Sequence, residues 1–263
     1  MPYTYGSYLR LDELLHLQTP ASAAAGQGAE HDEMLFIIIH QIYELWFKQV
    51  LHEVGYLQES LGASDRPRAL STLKRILTIF KTLVAQVDIL ETMTPVSFSS
   101  FRDRLDSASG FQSFQFRELE YVVGHRRPEV LARFDPESPE RRRLEAHRER
   151  PSLYLSFLAF LAREGHPIPP EALAHGGDVP LEDERVRRVL IDIYHHHPAD
   201  RDLCERLVDL DEGIQEWRYR HVKMVQRTIG MKRGTGGSAG VDYLKSTLFT
   251  PLFPDLWAIR ADL

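Results

Sequence analysis

The chain has 263 residues, of which 43% are hydrophobic and 27% charged, and its formal net charge is -6. This is the composition of a globular protein with room for a sizeable core, and its acidic balance excludes a broad basic surface for nucleic acid. The single cysteine excludes an intrachain disulfide and a thiolate metal cage. The N-terminus lacks a signal-peptide pattern and the longest apolar run, Met34 to Ile39, is too short to span a bilayer, so we expect a cytoplasmic protein that does not enter membranes.

The first 28 residues predict an arm and a connector. Tyr3, Tyr5 and Tyr8 precede an amphipathic turn, and three tyrosines near a chain end are expected to pack on this subunit or on a neighbour. The segment from Pro20 to Gly28 is rich in Ala, Gly and Ser, which predicts a flexible connector.

The stretch from His31 to Val54 predicts a central helix. Nearly every face of it is apolar, and carboxylates in its first turn favour a helix start. One face carries Phe36, His40, Tyr43 and Phe47. The apolar setting favours a neutral ring for His40. That ring either faces a ligand or is a core histidine bonded to a carbonyl.

A segment of mixed character follows a second predicted helix over residues 66–91. It combines aromatic residues with Arg, Ser and Gly, which is not the composition of a core. Phe98 and Arg102 lie one helical turn apart, so an aromatic wall and a guanidinium can face one ligand. A guanidinium binds a carboxylate bidentately. Pairing of Arg102 with Asp103 or Asp106 is the alternative.

Helical patterns continue through most of the remaining chain. They cover residues 118–123, a short segment between Pro128 and Pro136, a helix capped by Ser138, residues 151–163 and residues 201–218. The segment from His166 to Pro180 is a predicted loop, and the apolar C-terminal tail is predicted to dock on the body. His195-His196-His197 resembles a metal cluster, but consecutive helical residues point in different directions, so we interpret it as a surface run.

No strand pattern of useful length, internal repeat or linker between two cores is present. We therefore predict an all-α helical bundle that forms a single domain over residues 1–263, with residues 1–28 as the arm and connector.

The stretch from Glu216 to Gly230 predicts a helix with His221 on its apolar face. It runs into a basic, glycine-rich loop, Met231 to Gly240, whose backbone N–H groups can face a ligand. The loop follows a helix and not a strand, so it is no phosphate-binding fingerprint. A haem with one axial histidine suits an apolar helical pocket. A core histidine at a helix C-terminus is the alternative.

Several motifs together resemble the tryptophan 2,3-dioxygenase family over nearly the whole chain. They are Tyr5-Gly-Ser-Tyr8-Leu-Arg-Leu, His31-Asp-Glu-Met-Leu-Phe36-Ile-Ile-Ile-His40-Gln, Glu44-Leu-Trp, Leu90-Glu-Thr-Met-Thr-Pro95, Phe101-Arg102-Asp, Ser109-Gly-Phe-Gln-Ser113, Trp217-Arg-Tyr-Arg-His221 and Lys232-Arg-Gly-Thr235-Gly-Gly-Ser. The resemblance implies an all-α homotetramer, a dimer of dimers, with one haem b per subunit. It also implies a reaction that adds both atoms of O₂ across the indole C2–C3 bond of L-tryptophan to give N-formylkynurenine.

The resemblance also implies roles for individual residues. His221 matches the axial haem ligand, and His40 matches the distal histidine that accepts the indole N–H. Arg102 matches the clamp on the substrate carboxylate, and Thr235 matches a residue at the ammonium and carboxylate end. The residues that match the indole pocket are Phe36, Ile37, Ile38, Ile39 and Phe98. Ser109 and Gly110 match the loop by the haem edge. Tyr5, Tyr8 and Leu9 match an arm that is exchanged towards a neighbouring subunit.

The sequence departs from the family pattern at two positions. Phe98 stands where some members have tyrosine, and Ile39 stands where some have a polar residue, which leaves the preference among ring-substituted tryptophans open. Three alternatives to the dioxygenase are compatible with the sequence. They are a haem enzyme that hydroxylates or mono-oxygenates another indole, a non-catalytic haem sensor and a helical module without a cofactor.

Overall fold

A computed structural model describes residues 2–25, 28–105, 112–174, 182–230, 232, 244–245 and 248–263. Every regular element formed by these residues is helical, which confirms the all-α prediction. The α-helices are α1 Tyr5–Leu9, α2 Leu11–Leu14, α3 His31–Gly62, α4 Arg66–Leu90, α5 Pro95–Arg102, α6 Phe114–Val123, α7 Pro128–Leu131, α8 Pro139–Arg148, α9 Leu153–Arg163, α10 Glu184–His196, α11 Pro198–Ile229 and α12 Pro254–Ala258. Short 3₁₀ helices cover Ala21–Ala25, Pro170–Leu173 and Ile259–Ala261.

The long helices α3, α4 and α11 form the centre of the bundle. Their buried apolar residues recur at three- and four-residue steps, so each helix presents one continuous stripe to the others. These residues include Val50, Val54, Leu57 and Leu61 from α3, Leu73, Ile76, Phe80 and Leu83 from α4, and Leu203, Leu207, Leu210 and Ile214 from α11. Burial of these stripes fixes how α3 and α11 face each other, and that arrangement positions the site described below.

Side-chain caps set where several helices begin. Asp65 accepts a hydrogen bond from a backbone N–H in the first turn of α4, and Thr94 and Ser113 do the same for α5 and α6. Ser138 caps α8, as predicted, with proline at the first helical position. These caps satisfy N–H groups that the helices themselves leave free.

Two predicted boundaries differ from the structure. The central helix continues beyond Val54 to Gly62, and the two patterns over residues 201–218 and 216–230 belong to one 32-residue helix, α11. No proline or glycine pair interrupts either helix, so packing against the core extends them past the clearest periodicity.

The predicted flexible connector is ordered in part. Residues Ala21–Ala25 form a 3₁₀ helix, and the backbone N–H groups of Ala21 and Ser22 donate to the Glu33 carboxylate at 2.7 and 3.0 Å. Ser22 is fully buried, and its hydroxyl accepts from the Glu30 backbone N–H at 2.8 Å. A carboxylate in the first turn of α3 thus anchors the segment that local composition marks as flexible.

The C-terminal tail docks on the bundle, as predicted. Leu252, Phe253 and the α12 residue Leu256 are buried. The buried Asp211 carboxylate of α11 accepts from the backbone N–H groups of Leu252 and Phe253 at 2.7 and 3.1 Å and from the Trp257 indole at 2.9 Å. Among the described residues, no helix combines the length and apolar character that crossing a membrane requires.

Candidate functional site

The site lies where α3, α4, α5 and α11 meet. A small apolar cluster, distinct from the main core, joins these elements. Its buried members are Ile39, Val87, Leu90, Met93, Phe101 and Met224. Phe36 and Phe98 pack against it while remaining half-buried. The cluster therefore supplies a rigid base from which these two rings project.

An aromatic wall forms between α3 and α5. The Phe36 ring lies 5.7 Å from Phe98 and 5.6 Å from Phe101, between ring centroids. Phe98 and Phe101 meet edge to face at 5.4 Å. The two predicted wall residues, Phe36 and Phe98, are thus brought together, and the fully buried Phe101 supports both. A cluster of aromatic rings of this kind can pack against an aromatic ligand.

His40 lies one helical turn after Phe36 and stacks near it, with ring centroids 4.1 Å apart. Its Nδ1 is 2.6 Å from the Phe36 carbonyl oxygen. A carbonyl only accepts, so Nδ1 carries the proton and Nε2 of the neutral ring is an acceptor. Burial lowers the pKa of His40, despite the carbonyl bond and the nearby Glu44 carboxylate, which both favour the charged form. The ring therefore presents an acceptor nitrogen at neutral pH.

His221 lies on α11 and stacks parallel to Trp217, one turn earlier, at 5.3 Å between ring centroids. Burial, together with the nearby His40 and Arg117, lowers the pKa of His221 to about 4. The imidazole is therefore neutral at pH 7. Within the described residues, its ring takes part in no hydrogen bond. A neutral imidazole held by ring stacking has a nitrogen available for a metal ion.

The structure brings His40 and His221 to one region although they are far apart in the sequence. They are close enough for the charge of one imidazolium to lower the pKa of the other. α3 supplies one ring and α11 the other, and the packing of both helices against α4 fixes the arrangement. The pairing of these two residues as proximal and distal histidines stays a prediction from the family resemblance.

The remaining predicted site residues fall into three groups. Arg102 is half-buried at the last position of α5, one turn after Phe98. In α3, Ile37 is half-buried, Ile38 is exposed and Ile39 belongs to the apolar cluster. The α1 residues Tyr5, Tyr8 and Leu9 are exposed, and Ser109, Gly110 and Thr235 lie outside the described residues.

Sequence reasoning missed a buried charge cluster next to the site. The Glu120 carboxylate of α6 pairs with Arg117, Arg127 and Arg218 at 2.7, 3.2 and 2.8 Å. Burial opposes ionisation of Glu120, but the three guanidinium groups outweigh it and hold its pKa below the ordinary value. Because Arg117 also lowers the pKa of His221, this cluster contributes to keeping the site's imidazole neutral.

Trp217 was also missed as a site residue, although it stands in a quoted motif. Its ring lies 4.7 Å from Phe116 and 5.6 Å from Phe47, between centroids, so it fills the space between α11, α6 and α3. Its position four residues before His221 places it on the same helix face, which is the signal that predicts the stacking.

We expect acid to destabilise the fold through the buried His125, beside the Glu120 cluster. Burial lowers the pKa of His125 to about 4, against an ordinary value of 6.5. The unfolded chain therefore binds the proton first, so stability is present above pH 6.5 and falls as the pH drops towards 4. The loss for this residue is on the order of 3 kcal/mol.

The measurement is the free energy of unfolding by urea between pH 7 and pH 4.5, for the wild type and His125→Gln. The variant removes the titrating group, so its curve should be flatter over that window. Carboxylates with lowered pKa values, such as Glu120, act at lower pH and are common to both proteins. Parallel curves would show that His125 is not the responsible group.

Two neutral imidazoles on apolar helix faces, one of which makes no hydrogen bond among the described residues, are the donor type that holds haem iron. The fold and the site therefore define the class of all-α haem proteins. The tryptophan 2,3-dioxygenase family model matches residues 2–165 and 172–263. The chain belongs to this family.

Individual relatives are similar to this chain over at least 91% of their lengths. A tryptophan 2,3-dioxygenase of Herpetosiphon aurantiacus is 58% identical over 263 residues, covering 99% of this chain and 98% of that protein. A tryptophan 2,3-dioxygenase of Anaeromyxobacter sp. strain K is 58% identical over 262 residues, covering 99% and 96%. One from Kineococcus radiotolerans is 42% identical over 266 residues, covering 99% and 91%.

Proposed function

We propose that this chain is a haem-dependent dioxygenase that converts L-tryptophan and O₂ into N-formylkynurenine. The observation that carries the proposal is the placement of neutral His221 and neutral His40 in one region beside an aromatic wall that leads to Arg102. Family membership supports the same reaction. Haem, when bound, supplies the oxygen chemistry.

His221 is the residue that would hold the haem iron. Coordination requires an unprotonated nitrogen, and a pKa of about 4 leaves the ring neutral across the physiological range. The parallel Trp217 ring fixes the orientation of the imidazole. Because α11 is one uninterrupted helix, the ligand is held on a rigid element and not on a loop.

The proposed substrate pocket separates the two ends of a zwitterionic amino acid. Phe36 and Phe98 contact the faces of the indole, and His40 Nε2 accepts the indole N–H. Arg102, one turn from Phe98, binds the carboxylate through charge-assisted hydrogen bonds. Thr235, Ser109 and Gly110 remain predicted contributors to the polar end and the haem edge. A free amino acid supplies the carboxylate that this role of Arg102 requires, and an indole without a carboxylate does not.

The test is turnover of L-tryptophan by the ferrous, haem-loaded chain under ¹⁸O₂, with mass spectrometry of the product. A dioxygenase gives N-formylkynurenine with two labelled oxygens, one in the formyl group and one in the ketone. A single label indicates the mono-oxygenase alternative. Oxygen binding without any product indicates a haem sensor, and protein that takes up no haem contradicts every haem-based reading.

We expect His40→Ala to slow turnover of L-tryptophan by about five- to tenfold, the worth of one hydrogen bond of roughly 1 kcal/mol. With 1-methyl-L-tryptophan, which has no indole N–H, the same substitution should change the rate little. The measurement is kcat/KM for both substrates in both proteins. Equal losses on the two substrates would contradict a role for His40 as acceptor of the indole N–H.

We further propose that four chains assemble in the reducing cytoplasm, each as one domain with residues 1–28 as its arm. The exposed side chains of Tyr3, Tyr5 and Tyr8 support this, because large aromatic surfaces in water favour burial against a partner. Gln41 of α3 accepts from Gln18 at 2.7 Å, so the arm leaves the body one residue from His40. Light scattering should give about four times the 30.3 kDa chain mass, and a monomer would contradict the assembly.

A further inference from the structure

A second group of metal-ligating side chains lies at the opposite end of α11 from His221. His166 follows α9, His197 immediately precedes α11, and Asp200 stands in the first turn of that helix. One ligand atom from each lies within 4.8 Å of the others. His221 is 24 residues beyond His197 (221 minus 197), which is about 36 Å along an α-helix. The group is therefore separate from the proposed haem site.

The backbone holds these three residues in place. Gly165, with φ of +94°, ends α9 in the left-handed conformation, and the His166 N–H donates to the Leu161 carbonyl at 3.0 Å. A proline at the first position of α11 fixes the start of that helix, and the Asp200 N–H donates to the His197 carbonyl at 3.1 Å. The ligand positions are thus set by local structure before any ion binds.

One pair of donor atoms has nearly the spacing of ligands in a coordination sphere, and the third donor lies within 4.8 Å of both. Nε2 of His166 lies 3.0 Å from Oδ2 of Asp200, and the His166 and His197 rings meet edge to face at 4.7 Å between centroids. Ligands at about 2.0–2.2 Å from a tetrahedral zinc ion lie roughly 3.3 Å from one another. Two imidazoles and one carboxylate, with water in the fourth position, form an established type of zinc donor set.

The charges around the group favour a divalent cation. Arg66 binds Oδ1 of Asp200 at 2.6 Å, which leaves Oδ2 facing the imidazoles, and it also pairs with Glu164 at 3.0 Å. Asp192 lies 3.4 Å from Nε2 of His197. Three carboxylates and one guanidinium leave a formal charge of -2 beside the two imidazoles. Asp200 is buried, so water solvates its carboxylate poorly. A divalent ion would compensate that negative charge.

We propose that His166, His197 and Asp200 bind a divalent transition-metal ion, of which Zn²⁺ is the probe. The ion links the segment after α9 to the start of α11 and so stabilises the bundle at the end remote from the haem. The family model does not extend over residues 166–171, so membership of the family assigns no role to His166. The histidine run is exposed, as predicted. His197 differs from His195 and His196 because its ring contacts that of His166.

The test uses the full-length, untagged, haem-loaded chain, stripped with a chelator and dialysed against ZnCl₂. We expect about one zinc per chain. His197→Ala should weaken zinc binding by roughly tenfold or more, since even partners of metal ligands contribute that much. Zinc should also raise the Tm of the wild type and not that of the variant. A Co²⁺ absorption spectrum then reports the coordination geometry.

His195→Ala is the matched control, because His195 is exposed in the same run and outside the group. Its zinc affinity should equal that of the wild type. His166→Gln provides a second variant, and the haem absorbance of each variant shows that it is folded. Equal zinc binding by the wild type and His197→Ala, or an equal loss in His195→Ala, overturns the proposal. This result is independent of tryptophan turnover, so the two proposals fail separately.

Discussion

His221→Ala is expected to produce a folded protein that retains almost no haem and does not turn over tryptophan. The imidazole is the group that the site presents to iron, and removing a direct metal ligand should weaken haem retention by at least roughly 100-fold. The measurement is the Soret absorbance per chain together with N-formylkynurenine formation. Full haem content with normal turnover would contradict the axial role.

A cavity variant separates loss of the ligand from loss of the fold. In His221→Gly, added imidazole can occupy the vacated space against Trp217 and restore the haem spectrum, because neighbouring helices still shape the pocket. His52→Ala serves as the control, since His52 is an exposed histidine of α3. It should retain haem and activity. Haem loss in this control would show that the assay reports general instability.

Arg102→Ala is expected to raise the KM for L-tryptophan steeply while leaving haem content intact. The substitution leaves the substrate carboxylate without its partner in a poorly hydrated pocket, which costs on the order of 2–5 kcal/mol. This corresponds to a rise of roughly 30-fold or more. Steady-state kinetics under saturating O₂ measures it, and an unchanged KM would refute the carboxylate clamp.

Tryptamine, which lacks the carboxylate, tests the same contact from the ligand side. The wild type should discriminate strongly against tryptamine. Arg102→Ala should lose most of that discrimination, because no guanidinium remains to bind the carboxylate of tryptophan. Arg102→Lys keeps the charge without the bidentate fork and should fall between the two. If tryptamine and tryptophan stay as distinct in the alanine variant as in the wild type, another residue selects the carboxylate.

Local patterns were sufficient to predict much of the helical framework. The periodicity of apolar residues predicted the helices α3 and α4, and Ser138 predicted the start of α8. Phe36 and His40 share a face of α3 because residues four apart must do so, and the same rule relates Phe98 to Arg102 on α5. These relations lie within single helices, where geometry follows directly from spacing.

Recognition of the family added the roles that spacing alone left open. The local pattern leaves both His40 and His221 compatible with core histidines, and for His221 it favours that alternative. The structure contributes physical reasons for treating them as functional: both rings are neutral and they occupy one region. A single sequence carries no such information, because burial and charge neighbours depend on segments far away in the chain.

Relations between distant segments were decided by the tertiary structure. No local pattern relates the segments that meet in three places. His40 lies near His221, Trp217 of α11 packs against rings from α3 and α6, and His166 contacts His197. The sequence by itself determined which residues each helix presents on a common face. How those faces meet was decided by the close packing of α3, α4 and α11, because a buried apolar stripe fits its neighbours in few orientations.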